Sequence, residues 1–314
     1  MTQYLVRRLV ASVFTLLIVS LVIFGIVHFT PGDPARIMAG DVASAADVER
    51  IRQQLGLDRP IIEQYVSWLG QLVRGDLGRS LFLQRPVAQA IWERAEPTFI
   101  LTVFALGLAV LIGVPAGIVA AVRRGSIVDQ GLAVVALLGL CIPNFWLGMM
   151  LILVFAVGFG ILPSGGYVPI AEGNLLNTLR YLALPIVTLG FSESALISRI
   201  TRAAMLDTLG QDYVRSARSK GLGEAVVVGK HALRNAMIPI LTVVGLALGV
   251  LLGGAVVTET VFTIPGVGRL VVSSIARRDY PVIQGVVLVI AVIYVLVNLL
   301  IDLLYTVADP RIRY

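Results

Sequence analysis

Residues Asp212–Pro239 read DYVRSARSKGLGEAVVVGKHALRNAMIP and lie between two long apolar segments. Five cations, Arg215, Arg218, Lys220, Lys230 and Arg234, stand there against two acids, Asp212 and Glu224. Asp212 is placed to cap a short helix, Lys220 falls in its last turn, and Gly221 supplies the left-handed residue that ends it. A second helical run is expected from Glu224, with Pro239 where the chain re-enters apolar sequence. The positive-inside rule accounts for the charge of such a loop but not for its helix–glycine–helix order. Joined to membrane spans at both ends, that order makes a stiff cytoplasmic handle, and a push on it would reach the spans.

The rest of the chain supplies those spans. Of 314 residues, 57% are hydrophobic and 14% charged, with a mean hydropathy of +0.90. A water-soluble domain of this length cannot hide so much apolar surface, so part of the solvent is lipid. Six stretches reach the length needed to cross the hydrocarbon core as a helix: Leu9–Phe29, Thr98–Val122, Gly131–Phe159, Leu179–Ile197, Ile240–Thr258 and Gln284–Val307. The first is preceded by Arg7 and Arg8, but it is too long for a signal h-region and is followed by PGDP, so it reads as a retained span. The net charge of +6 sits in short loops between spans, which points to membrane orientation and lipid headgroups and away from nucleic acid. Arg123, Arg124, Arg199, Arg202 and the handle cations all fall on one side of a six-span arrangement, and that side is cytoplasmic. Both termini are then expected inside. The expectation is an all-α integral membrane protein of six transmembrane helices, in three parts: residues 1–29 as the first helix, 30–97 as a small helical extracytoplasmic subdomain, and 98–314 as a five-helix transmembrane domain with a cytoplasmic coupling loop at 199–236.

In the outer segment, Ser44 with Asp47 three residues on starts a helix that stops at Gly56. Pro60 starts another, ending near Gly75, with Ile61, Tyr65, Trp68, Leu69 and Leu72 as its apolar stripe. Pro86 starts a third, carrying Val87, Ile91 and Trp92. The third span is interrupted at Pro143-Asn144, and the fourth contains Pro185. In the fifth, Gly245, Gly249 and Gly253 recur every four residues and allow a close helix approach. Packing within the chain, a subunit seam and a narrowing pore all fit them. Polar groups inside spans are few: Glu193, Glu259, Asn298, Asp302 and His28. Asn298 and Asp302, one turn apart, suit a helix–helix hydrogen bond, whereas Glu193 and Glu259 suit either packing or function.

Enzymatic chemistry has little support. No G-x-x-x-x-G-K-[ST] phosphate loop and no H-E-x-x-H occur, GFSES at Gly190–Ser194 lacks the closing glycine of a nucleophile elbow, and the single Cys141 excludes an internal disulfide. An ion-driven secondary transporter using Glu193, Glu259 and Asp302 as relay groups stands as an alternative.

Arg215–Pro239 resembles the cytoplasmic E-A-A-x-x-x-G…I-x-L-P loop of binding-protein-dependent ABC importer permeases. Ala217 and Gly221 match the pattern, Arg215 stands where it has Glu, and His231 and Arg234 occupy its Ile and Pro places. The form is similar to that of the oligopeptide/dipeptide branch, D-Y-x-R-x-A-R-x-K-G…H-x-x-R-N-A, here Asp212, Tyr213, Arg215, Ala217, Arg218, Lys220, Gly221, His231, Arg234, Asn235 and Ala236. PGDP, QLGLDRP, GDLGRS, FTIPGVGRL, RDYPVIQ and ADPRIRY extend the resemblance along the chain. The resemblance implies a multi-pass subunit of a bacterial inner membrane, the first of two homologous permeases. It would bind no cofactor itself; two cytoplasmic ATPase subunits would hold ATP and Mg and receive the handle, and an extracytoplasmic binding protein would deliver cargo. Relatives of this kind move peptides, glutathione or nickel.

Overall fold

The computed structural model describes residues 2–29, 35–36, 44–54 and 56–308, and these are almost entirely helical. The PGDP motif, Leu55 and the chain from residue 309 lie outside the described residues, as does the side chain of His28. Among the described residues, five helical segments are long and apolar enough to cross a bilayer: Arg7–Ile26, Ala95–Val122, Leu175–Leu209, Glu224–Val261 and Tyr280–Asp302. The expected span Gly131–Phe159 is instead two arms, Ile127–Cys141 and Asn144–Gly158, bent by 102°. Pro143 explains the break: it donates no backbone hydrogen bond and forces the residue before it, Ile142, into extended geometry with ψ 121°. A sixth crossing exists only if the bent pair counts as one. The fourth span also runs on to Leu209, because no breaker intervenes before Gly210.

The chain forms two compact units, Met1–Ala95 with Leu270–Val295 and Glu96–Arg269 with Leu296–Tyr314. In the first, helix α1 (Thr2–Phe29) is followed by α2 (Ala45–Gln54), whose start is capped by Ser44 Oγ accepting from the Asp47 amide at 3.2 Å. Gly56, at φ +66°, lies just past its end. Pro60 precedes α3 (Ile61–Val73), and Gly75 turns away from it at φ +81°. The Tyr65 and Trp68 rings pack on Phe24 of α1 at centroid distances of 5.3 and 5.6 Å, and the Tyr65 hydroxyl pairs with Ser20 Oγ at 2.9 Å. Ile61, expected in this stripe, is half exposed.

Helix α4 (Val87–Trp92) buries Val87 and Ile91 over Gly285, where an added methyl would collide with Val87. Trp92 on the same helix is 81% exposed. The buried Asp279 carboxylate accepts from Ser80 Oγ at 2.5 Å and from the Leu81 and Phe82 amides at 3.2 and 3.3 Å. That one side chain joins the GDLGRS and RDYPVIQ segments.

The second unit is organised on α8 (Leu175–Leu209), which packs with α5 (Ala95–Val122), α6 (Ile127–Cys141) and α7 (Asn144–Leu151). Glycines set the approach. A methyl at Gly113 would meet the Ser194 carbonyl and Ile197, one at Gly117 the Ser198 carbonyl and Thr201, and one at Gly139 the Ala195 side chain. Such helices associate by van der Waals contact, and small residues let the backbones close. The core around them includes Leu101, Leu182, Leu189, Leu251, Phe262 and Ile264.

Candidate functional site

The handle begins with α9 (Asp212–Ser219). Gln211, not Asp212, holds the cap position; the Asp212 side chain is 94% exposed, a first-turn acid that pairs with Arg215 at 3.5 Å. Lys220 is the C-cap, and Gly221 follows at φ +77°. The Leu222 amide donates to the Ala217 carbonyl at 3.4 Å and the Gly221 amide to that of Arg218 at 2.9 Å, closing the last turn in a Schellman motif. From Glu224 the chain is helical again, passes through a π-turn at Val227–Ala232, and continues as α10 (Leu233–Val261). Pro239 lies inside this helix, within its first two turns.

The handle has an inner and an outer face. Val214 and Ala217, three residues apart on α9, are buried against Val227 and Leu209. Ala217 is therefore packing inside the handle. Tyr213 Oη accepts from Asn235 Nδ2 at 2.8 Å, and the same amide donates to the His231 carbonyl at 3.0 Å, tying α9 to the start of α10. Arg218 spans the glycine break, donating to Glu224 at 2.6 and 3.1 Å. Arg215, Lys220, Lys230 and Arg234 remain exposed beside Tyr213, Leu222 and Val226. The result is a cationic, partly apolar outer surface on a rigid two-helix support. The segment expected as a loop from Arg199 starts later, since 199–209 are the last turns of α8.

The other singled-out residues separate. Gly245 is buried and an added methyl would overlap Ile301, Gly249 is partly buried, and Gly253 is exposed with nothing within 4 Å. Within the chain, then, Gly245 serves close packing on Ile301, while Gly253 leaves its side of α10 open. Glu259 is fully buried. It accepts from Thr98 Oγ1 at 2.5 Å and the Arg269 amide at 2.9 Å, and methyls at Gly266 or Gly268 would strike its carboxylate. The FTIPGVGRL loop is thus folded round this carboxylate. Glu193 is buried in α8, and its Oε2 has no hydrogen-bond partner among the described residues. Asp302 is buried and Asn298 half-buried on α11 (Tyr280–Ala308).

Sequence reasoning missed one pair. Arg202 donates to Asp129 through Nε at 2.6 Å and Nη2 at 2.8 Å, and the Gly125 amide adds a third bond at 2.9 Å. This fastens the inner end of α6 to α8, just before the handle. The signal was a lone carboxylate in a basic turn, three residues after the helix-capping Ser126.

A helical membrane bundle carrying such a handle is the arrangement of an ABC importer permease. Residues 113–314 match the family described as binding-protein-dependent transport system inner membrane component, and residues 1–102 match the N-terminal portion of the same membrane component. The chain belongs to this family: it is an inner-membrane permease subunit, the non-catalytic part of an ABC importer. It is 44% identical over 314 residues, the full length of both chains, to a putative peptide transport system permease protein of Brucella abortus. It is 46% identical, again over both whole chains, to the glutathione transport system permease protein GsiC of Escherichia coli. Among solved structures, an inward-facing MetNI methionine ABC transporter shares the fold, with a TM-score of 0.58 and 19% identity over 70% of this chain and 97% of that one.

Proposed function

We propose that this chain translocates peptides across the bacterial inner membrane as one of two homologous permeases, powered by two cytoplasmic ATPase subunits that dock on the Asp212–Asn235 handle. The observation that carries the reading is the two-sided handle. Its buried face locks it to the ends of α8 and α10, so force on its exposed cations moves both helices as levers. Arg215, Lys220, Lys230 and Arg234 make the contacts, while Ala217, Arg218, Gly221 and the Tyr213–Asn235–His231 bonds keep the shape. ATP and Mg reside in the partners. Closure of the ATPases favours one of two bundle conformations, because the handle is bound differently in each. An extracytoplasmic binding protein delivers cargo at the outer segment, and full-length relatives named for peptide and glutathione transport support a peptide cargo. Both termini lie inside when the bent third segment crosses once.

The test is Arg215→Glu with Arg234→Glu in the assembled transporter. Both residues are exposed, so the chain still inserts. Binding-protein-stimulated ATP hydrolysis and uptake should fall together or become uncoupled. Unchanged uptake would remove the docking role.

A further inference from the structure

A cavity of about 480 Å³ opens between α6 and α8, roughly two turns above the handle, with Ala120 of α5 at its floor. Its α6 wall is one helical face, Leu132, Ala133, Ala136, Leu137 and Leu140; its α8 wall is Ser198, Arg199, Arg202 and Ala203. The two helices run antiparallel, with Asp129 beside Arg202 and Gly139 beside Ala195. The cavity is therefore graded. Arginines mark its inner end, and the leucines and alanines of α6 continue toward the bilayer centre. From Leu132 to Leu140 the trough is about 12 Å long at the helical rise. Leu137 and Leu140 are exposed to the surroundings, so the trough is open along its side.

We propose that this trough binds an anionic phospholipid from the inner leaflet, with the phosphodiester at Arg199 and Arg202 and one acyl chain along the α6 leucines. The polarity gradient matches a lipid end to end, which an inorganic anion or a wholly apolar molecule would not use. The charge balance also fits. Arg202 is neutralised by Asp129 but spends only Nε and one Nη2 proton on it, leaving other donors for a phosphate oxygen. Arg199 forms no ion pair among the described residues and supplies an uncompensated positive charge. Basic pockets between helices on the cytoplasmic side are suited to anionic headgroups. Because Arg202 and Asp129 fasten α6 to α8 just before the handle, an occupant here would bear on the lever itself.

The assembled transporter, exchanged into nanodiscs of equal phosphatidylglycerol and phosphatidylcholine, is extracted and its retained lipid identified by native mass spectrometry. Wild type should retain phosphatidylglycerol preferentially. Arg199→Gln should reduce that preference by about fivefold, the effect of one basic residue beside an anionic lipid, and Arg199→Lys should keep most of it. Ala136→Trp, which fills the trough, should lower retention of both lipids. Equal preference in wild type and Arg199→Gln would overturn the proposal. So would displacement of the lipid by millimolar inorganic phosphate, or a cross-link from Leu137→Cys to the second permease showing protein in the trough.

Discussion

Replacing Glu259 with alanine leaves one buried donor, Thr98 Oγ–H, and one part-buried donor, the Arg269 amide, without their acceptor. An unsatisfied buried donor costs about 1–3 kcal/mol and one that water can reach costs less, so the pair amounts to about 1–4 kcal/mol. Thr98 also accepts from the Val267 amide at 2.9 Å, so the loss loosens the outer loop at one further point. Glu259→Gln keeps the volume and one carbonyl oxygen, but sets an NH2 against a donor, a cost of about 1–3 kcal/mol. The assay is the temperature at which half of the detergent-solubilised transporter leaves its monodisperse peak, with uptake measured per folded molecule. Stability should fall from wild type to glutamine to alanine, and uptake by the glutamine variant should track its folded fraction. A relay carboxylate gives the reverse pattern. Full stability of Glu259→Gln with abolished uptake would refute the tethering role and revive an ion-coupled mechanism.

Gly117→Ala drives a methyl into the Ser198 carbonyl and Thr201 and should destabilise the bundle by about 1–3 kcal/mol, whereas Gly253→Ala meets no atom within 4 Å and should not; thermal unfolding of the two variants checks this. A double-mutant cycle on Asp129→Ala and Arg202→Ala should return a coupling of about 1–3 kcal/mol, below that of a fully buried pair because Arg202 is 35% exposed; strict additivity would argue against the lock. Asp279→Ala removes the acceptor for Ser80, Leu81 and Phe82, and hydrogen exchange should rise at residues 80–84 while α8 amides stay unchanged.

What the sequence made legible was local. Ser44, Gly56, Pro60, Gly75 and Gly221 each announce a boundary through their own backbone chemistry, and each stands at or beside one in the structure. Asp212 is the exception, since Gln211 took the cap position. The apolar runs likewise marked the spans, because hydrocarbon thickness demands their length. What stayed hidden depended on distant partners. The Asp279–Ser80 bond joins residues 199 apart, and Asp129 finds Arg202 across 73. Gly113 and Gly117 carry no signal until α8 lies against them, while in the more regular Gly245–Gly253 series Gly245 meets Ile301 and Gly253 meets nothing within 4 Å. Pro143 was visible as an interruption, but its 102° bend was not, since a proline fixes only its own turn and packing chooses the angle.

If force enters through the handle from ATPase partners, substrate uptake into proteoliposomes containing this chain with and without its companion subunits measures it. Uptake is expected only when the second permease, ATPases, binding protein and ATP are all present, with loss on Arg215→Glu plus Arg234→Glu. Accumulation by this polypeptide alone, driven by a proton gradient and indifferent to ATP, would contradict it.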